Sequence, residues 1–173
     1  METLDCKSIE LSNGETYSYR EAGSGEKTLI LIHGNLVTSM FFDQLIPELS
    51  SNYHIYAPDM RGFAHTTYNK PIESIEDLVE DLKLFVDALK IKYFSLLGWS
   101  AGGPIVLSFA HKYPEMVEKM ILIASVGPKG SLRRDDKGRV LKTKEELLSF
   151  PQIRDLKQML SVKYNQGIRF YLT

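Results

Sequence analysis

The apolar residues of the chain fall alternately into nearly unbroken runs and into runs with helical spacing. Four of the unbroken runs have the length of a strand: 28–32, 53–57, 93–97 and 117–125. Such runs lack the alternation of a strand with one wet face, and they are typical of strands covered on both faces in a parallel sheet. Because helical patterns lie between them, the chain predicts right-handed β-α-β units around a mostly parallel sheet with flanking helices.

The longest helical pattern covers 74–91, where apolar residues follow the i, i+3, i+4, i+7 rule over four turns. Ser74 and Asp77 resemble a capping box at its start, and its charged face is expected to be solvated. Shorter patterns predict helices at 40–50 and from Pro104 to Lys112. Before the first parallel strand, alternating segments on either side of an Asn-Gly turn at 13–14 predict a β-hairpin over 7–22.

Composition and charge restrict the possible functions. The 173 residues are 43% hydrophobic and 25% charged, which fits a globular chain with a substantial core. No apolar run is long enough to span a membrane, and a net charge of −1 provides no field that would attract nucleic acid. We therefore expect a small-molecule substrate and predict neither nucleic-acid nor membrane binding.

The N-terminal residues and the cysteine content bear on location and cofactors. The acidic opening from Met1 to Asp5 is unlike a signal peptide, and the lone Cys6 cannot form an internal disulfide. Both features predict a cytoplasmic protein. Without a cysteine cluster there is no indication of a structural metal, and we expect neither a metal nor another cofactor.

The candidate chemistry lies in the stretch Gly98-Trp99-Ser100-Ala101-Gly102-Gly103, which follows one strand run and precedes a predicted helix. A serine at a sharp strand-to-helix turn exposes its hydroxyl, and its neighbours must lack Cβ atoms for the turn to close. Gly98 and Gly102 meet that need. The N–H groups at the start of the helix point at whatever Ser100 attacks, so the pattern predicts a nucleophilic serine.

Two further motifs follow earlier strands: His33-Gly34-Asn35, and the stretch 59–66 with the sequence DMRGFAHT. Together with the serine turn they resemble the α/β-hydrolase fold family over residues 7–126, and each falls at the carboxyl end of a strand, where ligands bind in open α/β sheets. The resemblance implies a hydrolase that acts on a small carboxylic ester or related acyl substrate through Ser100. It also implies that the backbone N–H groups of Asn35 and Ala101 form the oxyanion hole.

The same resemblance makes Leu36 and Trp99, which adjoin these residues, the candidate substrate-binding side chains. In the 59–66 motif, Ala64 and Thr66 replace the glycine and serine typical of the family, and both changes are small enough to leave the loop intact. Asp59 and Arg61 are interpreted as a local ion pair that braces this loop.

The resemblance also predicts how the chain is divided. Residues 1–126 would form the N-terminal part of the hydrolase core, and residues 127–173 would begin the helical cap that the family inserts after the strand at 117–125. In the family the catalytic acid and histidine follow later strands, and the chain ends before either. We therefore interpret the chain as C-terminally truncated, with the outer edge of the strand at 117–125 open to self-association or to a complementing chain.

The histidines present are poor substitutes for the missing base. His111 lies about 16 Å along its helix from Ser100, and His54 begins its strand at the opposite edge of the sheet. His33 and His65 lie at the correct edge and remain the candidates. Three aspartates fall in the predicted cap, and no spacing marks any of them as the triad acid: Asp135, Asp136 and Asp155.

Three functions are consistent with this sequence. The chain is part of a serine hydrolase whose remainder is encoded further on, or one half of a split hydrolase completed by a second chain, or a non-catalytic binding protein that keeps the fold. The DNA beyond codon 173 discriminates among them, because a continuing or neighbouring frame with a late histidine restores the enzyme. The substrate is not determined by the fold.

Overall fold

The structure, a computed structural model, describes residues 4–125, and the predicted cap at 127–173 lies outside this part of the chain. A six-stranded sheet runs through it with the strand order β1-β2-β4-β3-β5-β6. The strands are β1 (Cys6–Glu10), β2 (Thr16–Ala22), β3 (Lys27–Ile32), β4 (Tyr53–Pro58), β5 (Phe94–Trp99) and β6 (Val117–Ile123). The last four are mutually parallel and β1 and β2 are antiparallel, so the mostly parallel sheet and the N-terminal hairpin are confirmed.

Three α-helices and two 3₁₀ turns connect the strands. The helices are α1 (Leu45–Leu49), α2 (Ile75–Ala88) and α3 (Gly102–Lys112), and the 3₁₀ turns cover Ser39–Phe42 and Pro114–Met116. The capping interaction of α2 is confirmed, because the N–H of Ser74 donates to the carboxylate of Asp77 at 2.9 Å.

The predicted helix at 40–50 forms instead as a 3₁₀ turn followed by a single short α-helix. Pro47 explains the break, because it has no N–H to donate to the carbonyl four residues earlier and is tolerated only in the first turn of a helix. The helix therefore begins at Leu45, two residues before the proline.

The core lies on both faces of the sheet, as the unbroken apolar runs predicted. In β3, Leu29 and Leu31 pack on the face covered by α1, while Ile30 and Ile32 pack on the face covered by α2 and α3. All four are buried. Since successive side chains of a strand point to opposite faces, a strand buried on both sides must be apolar at every position.

Strand β6 forms one edge of the sheet and, among the described residues, pairs only with β5. Its central side chains are apolar and 40–45% exposed: Met120, Ile121, Leu122 and Ile123. These four consecutive residues present apolar surface on both faces, in contrast to the fully covered β3.

Candidate active site

Ser100 lies at the turn between the end of β5 and the start of α3, as the sequence predicted. Its φ is +52°, in the left-handed region that non-glycine residues rarely adopt. Its N–H donates to the carbonyl of Ile123 at 2.9 Å, and its own carbonyl accepts the N–H of Gly103 at 3.1 Å. Two backbone hydrogen bonds, one from the neighbouring strand and one from the helix, therefore maintain an unfavourable conformation that costs about 1–3 kcal/mol.

The glycines of the turn are required by close backbone approach. A Cβ on Gly98 would lie 2.8 Å from the carbonyl oxygen of Gly102, and a Cβ on Gly102 would lie 2.7 Å from that of His33. Both neighbours are backbone atoms that cannot move aside. Gly103 is also crowded, because a Cβ there would collide with the side chain of Ser125. Sequence reasoning used Gly98 and Gly102 and overlooked this third position.

The loop after β3 passes directly over Ser100. A Cβ on Gly34 would lie 3.0 Å from the Cβ of Ser100 and 2.7 Å from the indole of Trp99, so only glycine fits. The next residue, Asn35, uses its side-chain oxygen to accept the N–H of Leu36 at 3.0 Å. Leu36 itself has a φ of +66°, so the loop turns sharply at this point.

The two N–H groups assigned to the oxyanion hole remain available. Within residues 4–125, neither the N–H of Asn35 nor that of Ala101 has an acceptor in hydrogen-bonding range. Ala101 immediately precedes α3, whose first N–H groups carry the positive end of the helix dipole. Ala101 directly follows Ser100 in the chain, and Asn35 directly follows Gly34, whose Cβ position lies 3.0 Å from the Cβ of Ser100.

The two candidate substrate-binding side chains have different environments. Trp99 is half-buried and stacks on Phe41, with ring centroids 4.0 Å apart and planes at 14°. Leu36 is 39% exposed and Phe41 49% exposed, so the loop carries apolar surface. The structure thus places Trp99 against the loop beside Ser100, and no hydrogen bond joins Leu36 to Ser100 in the described residues.

The interpretation of Asp59 and Arg61 as an ion pair with each other is wrong. The carboxylate of Asp59 accepts the N–H of Ser39 at 2.6 Å and the hydroxyl of Ser18 at 2.7 Å. Arg61 points elsewhere and donates to both oxygens of Asp81. The backbone turns between the two residues, so side chains only two positions apart reach different parts of the fold.

Arg61 belongs to a buried charged network that sequence reasoning missed. Its Nε lies 2.7 Å from one oxygen of Asp81 and 3.8 Å from an oxygen of Glu15, and both acids are fully buried. The expectation that the charged face of α2 is entirely solvated is therefore wrong at Asp81. The available signal was spacing, because Asp81 lies three residues after Leu78 and four before Phe85, on the apolar face.

Hydrogen bonding favours the charged forms of Glu15 and Arg61 despite their burial. Burial alone would raise the pKa of Glu15, but bonds from Thr67 and from the N–H groups of Asn69 and Lys70 outweigh it and lower that pKa. Burial would likewise lower the pKa of Arg61, and the bonds to Asp81 raise it instead. The segment 67–70 is thereby fixed against the N-terminal hairpin.

His33 is part of the framework of the site and cannot accept a proton from Ser100. Its Nε2 accepts the N–H of Met60 at 3.0 Å, and its Nδ1 lies 2.8 Å from the carbonyl of Gly34. Both ring nitrogens are therefore engaged, with the proton on Nδ1. Burial lowers the pKa of His33, only partly opposed by the bond to Gly34 and the charge of Asp59, which keeps the ring neutral near pH 7.

The other histidines do not complete the site. His54 begins β4 and bonds to Glu21 at 2.7 Å, at the edge of the sheet opposite to Ser100. His111 is exposed in the last turn of α3, and His65 is exposed in the loop after β4. No hydrogen bond joins any of them to Ser100 in the described residues. The predicted acid candidates Asp135, Asp136 and Asp155 lie outside that part of the chain.

Residues 4–125 contain neither a cluster of metal ligands nor a membrane-spanning helix. No group of three or more histidine, cysteine, aspartate or glutamate side chains is placed to hold a metal ion there. Nor does that part of the chain contain a helix both long and apolar enough to cross a membrane.

Comparison with known proteins gives the family. Residues 27–152 match the family model described as the alpha/beta hydrolase fold. The chain is 31% identical over 121 residues to 2-hydroxy-6-oxo-2,4-heptadienoate hydrolase of Pseudomonas putida, covering 68% of the chain and 44% of that protein. It is 33% identical over 115 residues to the serine hydrolase BPHL of Homo sapiens, covering 64% of the chain and 40% of that protein.

A solved structure agrees with these relatives. The meta-cleavage product hydrolase of Pseudomonas fluorescens superposes with a TM-score of 0.66 at 31% identity, over 77% of the chain and 47% of that protein. The chain therefore spans less than half the length of each of these three relatives. With the family model covering most of its residues, the chain belongs to the alpha/beta hydrolase fold family.

Proposed function

We propose that this chain carries the nucleophile half of a serine hydrolase that cleaves a small carboxylic ester or related acyl substrate. The observation that supports it best is the environment of Ser100. This strained serine lies between glycines at 98 and 102 and against the loop at Gly34, and the N–H groups of the next residues, Ala101 and Asn35, have no acceptor in the described residues. Relatives named as hydrolases, one of them a serine hydrolase, are consistent with this assignment.

In the proposed reaction, the Oγ of Ser100 attacks the carbonyl carbon of the substrate while a base removes the hydroxyl proton. The carbonyl oxygen becomes negative and accepts hydrogen bonds from Asn35 and Ala101, which strengthen as the charge develops. The leaving alcohol takes the proton, and an acyl-serine remains. Water then attacks the acyl carbon while the same base takes its proton. The bond between the acyl carbon and Oγ breaks as the base returns that proton to Oγ, which releases the acid and restores the Ser100 hydroxyl.

The base of this reaction is not among the residues described. All four histidines of the chain lie between positions 33 and 111, and none bonds to Ser100. By the family resemblance, the base and its acid partner belong to later strands. The extended protein, meaning this chain with the C-terminal half of the family supplied in cis or as a second chain, is therefore the proposed active form.

The apolar surface beside Ser100 indicates the substrate side of the site. We assign Leu36 and Trp99 to substrate contacts, since the loop that carries Leu36 packs on Trp99 through Gly34. Such surface favours an uncharged acyl or aryl group. We also assign the chain to the cytoplasm, since its single cysteine, Cys6, is free and exposed, which suits a reducing compartment.

Hydrolysis of p-nitrophenyl acetate by the extended protein tests the proposal. Ser100→Ala should lower kcat by roughly 10⁶-fold, because triad residues act as a unit. Ser108→Ala, a half-buried serine in the helix α3 that follows Ser100, serves as the matched control and should retain activity. Asn35→Ala should lower kcat less than about tenfold, because the proposed donor is its backbone N–H.

Retention of most activity by Ser100→Ala would overturn the assignment of the nucleophile. A folded extended protein that binds esters without turnover would favour the non-catalytic binding protein instead.

A further inference from the structure

The loop that carries Asn35 is attached at both ends to consecutive residues after β4. We call residues 34–38 the oxyanion loop. At its start, the ring of His33 accepts the N–H of Met60 at 3.0 Å. At its end, the N–H of Ser39 donates to the carboxylate of Asp59 at 2.6 Å. Only the five residues of the oxyanion loop lie between these two anchors.

The carboxylate of Asp59 is itself held firmly. Asp59 is fully buried, its N–H donates to the carbonyl of Ser18 at 2.8 Å, and its second carboxylate oxygen accepts the Ser18 hydroxyl at 2.7 Å. Its carbonyl accepts the hydroxyl of Thr66 at 2.7 Å. Asp59 is therefore fixed to β2 and to its own loop, and its carboxylate holds the N–H of Ser39 in a defined position.

Ser39 is held on its side chain as well. Its Oγ accepts a hydrogen bond from Nη1 of Arg20 at 2.8 Å, and Nε of Arg20 pairs with Asp43 at 2.7 Å. Arg20 and Ser39 are both buried. The bond from Ser39 N–H to Asp59 is the one with an ionised acceptor, and such bonds are about twice as strong as neutral ones.

The oxyanion loop needs this attachment because it contains strain. Leu36 has a φ of +66°, a conformation that costs a non-glycine residue about 1–3 kcal/mol and persists only where the surroundings enforce it. A loop released at Ser39 is free to relax that conformation. Its relaxation displaces the N–H of Asn35, one residue away.

We infer that Asp59 is a positioning residue for the oxyanion hole, holding the oxyanion loop through the N–H of Ser39 so that Asn35 faces the reacting oxygen. This inference rests on the proposed function. Asp59 touches no substrate in this role, and it replaces the loop-bracing ion pair that its sequence position first suggested. The hole acts on charge that develops only in the transition state, so the effect falls on kcat and leaves KM nearly unchanged.

Two variants separate this role from general stabilisation. Asp59→Asn keeps an oxygen but removes the charge that strengthens the bond to Ser39. Ser18→Ala, the matched control, removes only the hydroxyl that donates to the other carboxylate oxygen of Asp59. It leaves the bond to Ser39 and the two backbone attachments of Asp59, to the carbonyl of residue 18 and to Thr66, in place. In the extended protein, Asp59→Asn should lower kcat for p-nitrophenyl acetate about 10- to 100-fold with KM changed less than threefold. Ser18→Ala should lower kcat less than threefold.

A second measurement uses the 173-residue chain itself and requires no activity. In amide hydrogen exchange by NMR, the N–H of Ser39 should exchange slowly in the wild type. The N–H of Asn35, for which residues 4–125 provide no acceptor, should exchange fast. Asp59→Asn should increase the exchange rate of the Ser39 N–H and shift the amide resonance of Asn35. Ser18→Ala should leave that exchange rate and that resonance near their wild-type values.

Fast exchange of Ser39 in the wild type would overturn the inference even if Asp59→Asn failed to fold. Equal losses of kcat in the two variants, or a rise in KM alone, would also overturn it. An inactive wild-type extended protein with the expected exchange pattern would instead refute Ser100 as a nucleophile and leave the anchoring of the loop in place.

Discussion

Removing the charge of Asp81 should destabilise the chain far more than removing any exposed acid of the same helix. Asp81 is fully buried, and its carboxylate accepts four hydrogen bonds. Their donors are Nε and Nη2 of Arg61 at 2.7 and 2.5 Å, the hydroxyl of Tyr17 at 2.8 Å and Nδ2 of Asn13 at 2.8 Å. Asp81→Asn replaces one acceptor oxygen with an NH₂ group that faces donors.

The loss of stability depends on which charges remain near Arg61 after Asp81 is changed. After the change, the nearest acid to Arg61 is Glu15, with 3.8 Å between its oxygen and Nε. Breaking a buried ion pair by removing one partner costs about 3–5 kcal/mol, because the other charge stays buried without compensation. A domain of this size has a total stability of only about 5–15 kcal/mol. The exposed pair Lys83–Asp87 on the same helix is worth about 0.3–0.5 kcal/mol.

Urea unfolding followed by the fluorescence of Trp99, the single tryptophan, measures the effect. With an m-value of about 1–3 kcal/mol/M, Asp81→Asn should lower the midpoint by at least about 1 M. The control Asp87→Asn should shift it by less than about 0.5 M. The double variant Arg61→Met, Asp81→Leu should recover part of the loss, because both charges of the pair leave together while Glu15 keeps its bonds from Thr67, Asn69 and Lys70.

The reasoning is refuted if Asp81→Asn stays within about 1 kcal/mol of the wild type. It is equally refuted if the double variant is as unstable as the single one, since the cost would then lie in packing and not in the unpaired charge.

Four further predictions concern the fold around the site. Ala64 has a φ of +46° where the family typically has glycine, so Ala64→Gly should raise the free energy of unfolding by about 1 kcal/mol in the same urea assay. Gly102→Ala should lower that free energy by about 3 kcal/mol or more, because its Cβ meets backbone atoms, and an unchanged midpoint would contradict the close packing of α3 on β3. Burial lowers the pKa of His33, so below about pH 6.5 the unfolded chain takes up a proton that the folded chain does not. The free energy of unfolding should therefore fall as the pH decreases from 6.5 towards the lowered pKa, by at most about 1.4 kcal/mol per pH unit. His33→Asn should remove this pH dependence. We propose that the β6 edge pairs with a second copy or a complementing chain. Light scattering should therefore find the 173-residue chain in associated form, and the Ile121→Lys variant should associate less. A monodisperse wild-type monomer at high concentration would argue against the proposal.

The parts of the fold that depend on local pattern were predictable from the sequence. Four apolar residues in succession, Leu29 to Ile32, indicate a short strand segment that is buried on both faces. The turn at Ser100 was predictable for a similar reason, since glycines at 98 and 102 are needed wherever helix and strand backbones approach closely. Thr66 in place of serine also behaves as expected, because its hydroxyl makes the bonds that either residue supplies.

The side-chain partners of charged residues were not predictable in the same way. Sequence proximity suggested that Asp59 pairs with Arg61, yet each finds its partner 20 positions away, at Ser39 and Asp81. Such pairings depend on tertiary packing, so they cannot be predicted from the spacing of residues in a single sequence. The prediction of one continuous helix at 40–50 was wrong for a reason that the sequence itself contains, because Pro47 interrupts helical hydrogen bonding at its centre.

Fluorophosphonate labelling read by peptide mass spectrometry tests the central claim most directly, because the reagent modifies only a serine activated as a nucleophile. The account predicts stoichiometric modification of Ser100 in the extended protein, none of Ser108, and no more than a trace on the 173-residue chain alone. A folded, ester-hydrolysing extended protein in which Ser100 stays unmodified would contradict the claim. Stoichiometric labelling of Ser100 in the isolated chain would contradict the absence of a base, and His65 would be the residue to mutate next.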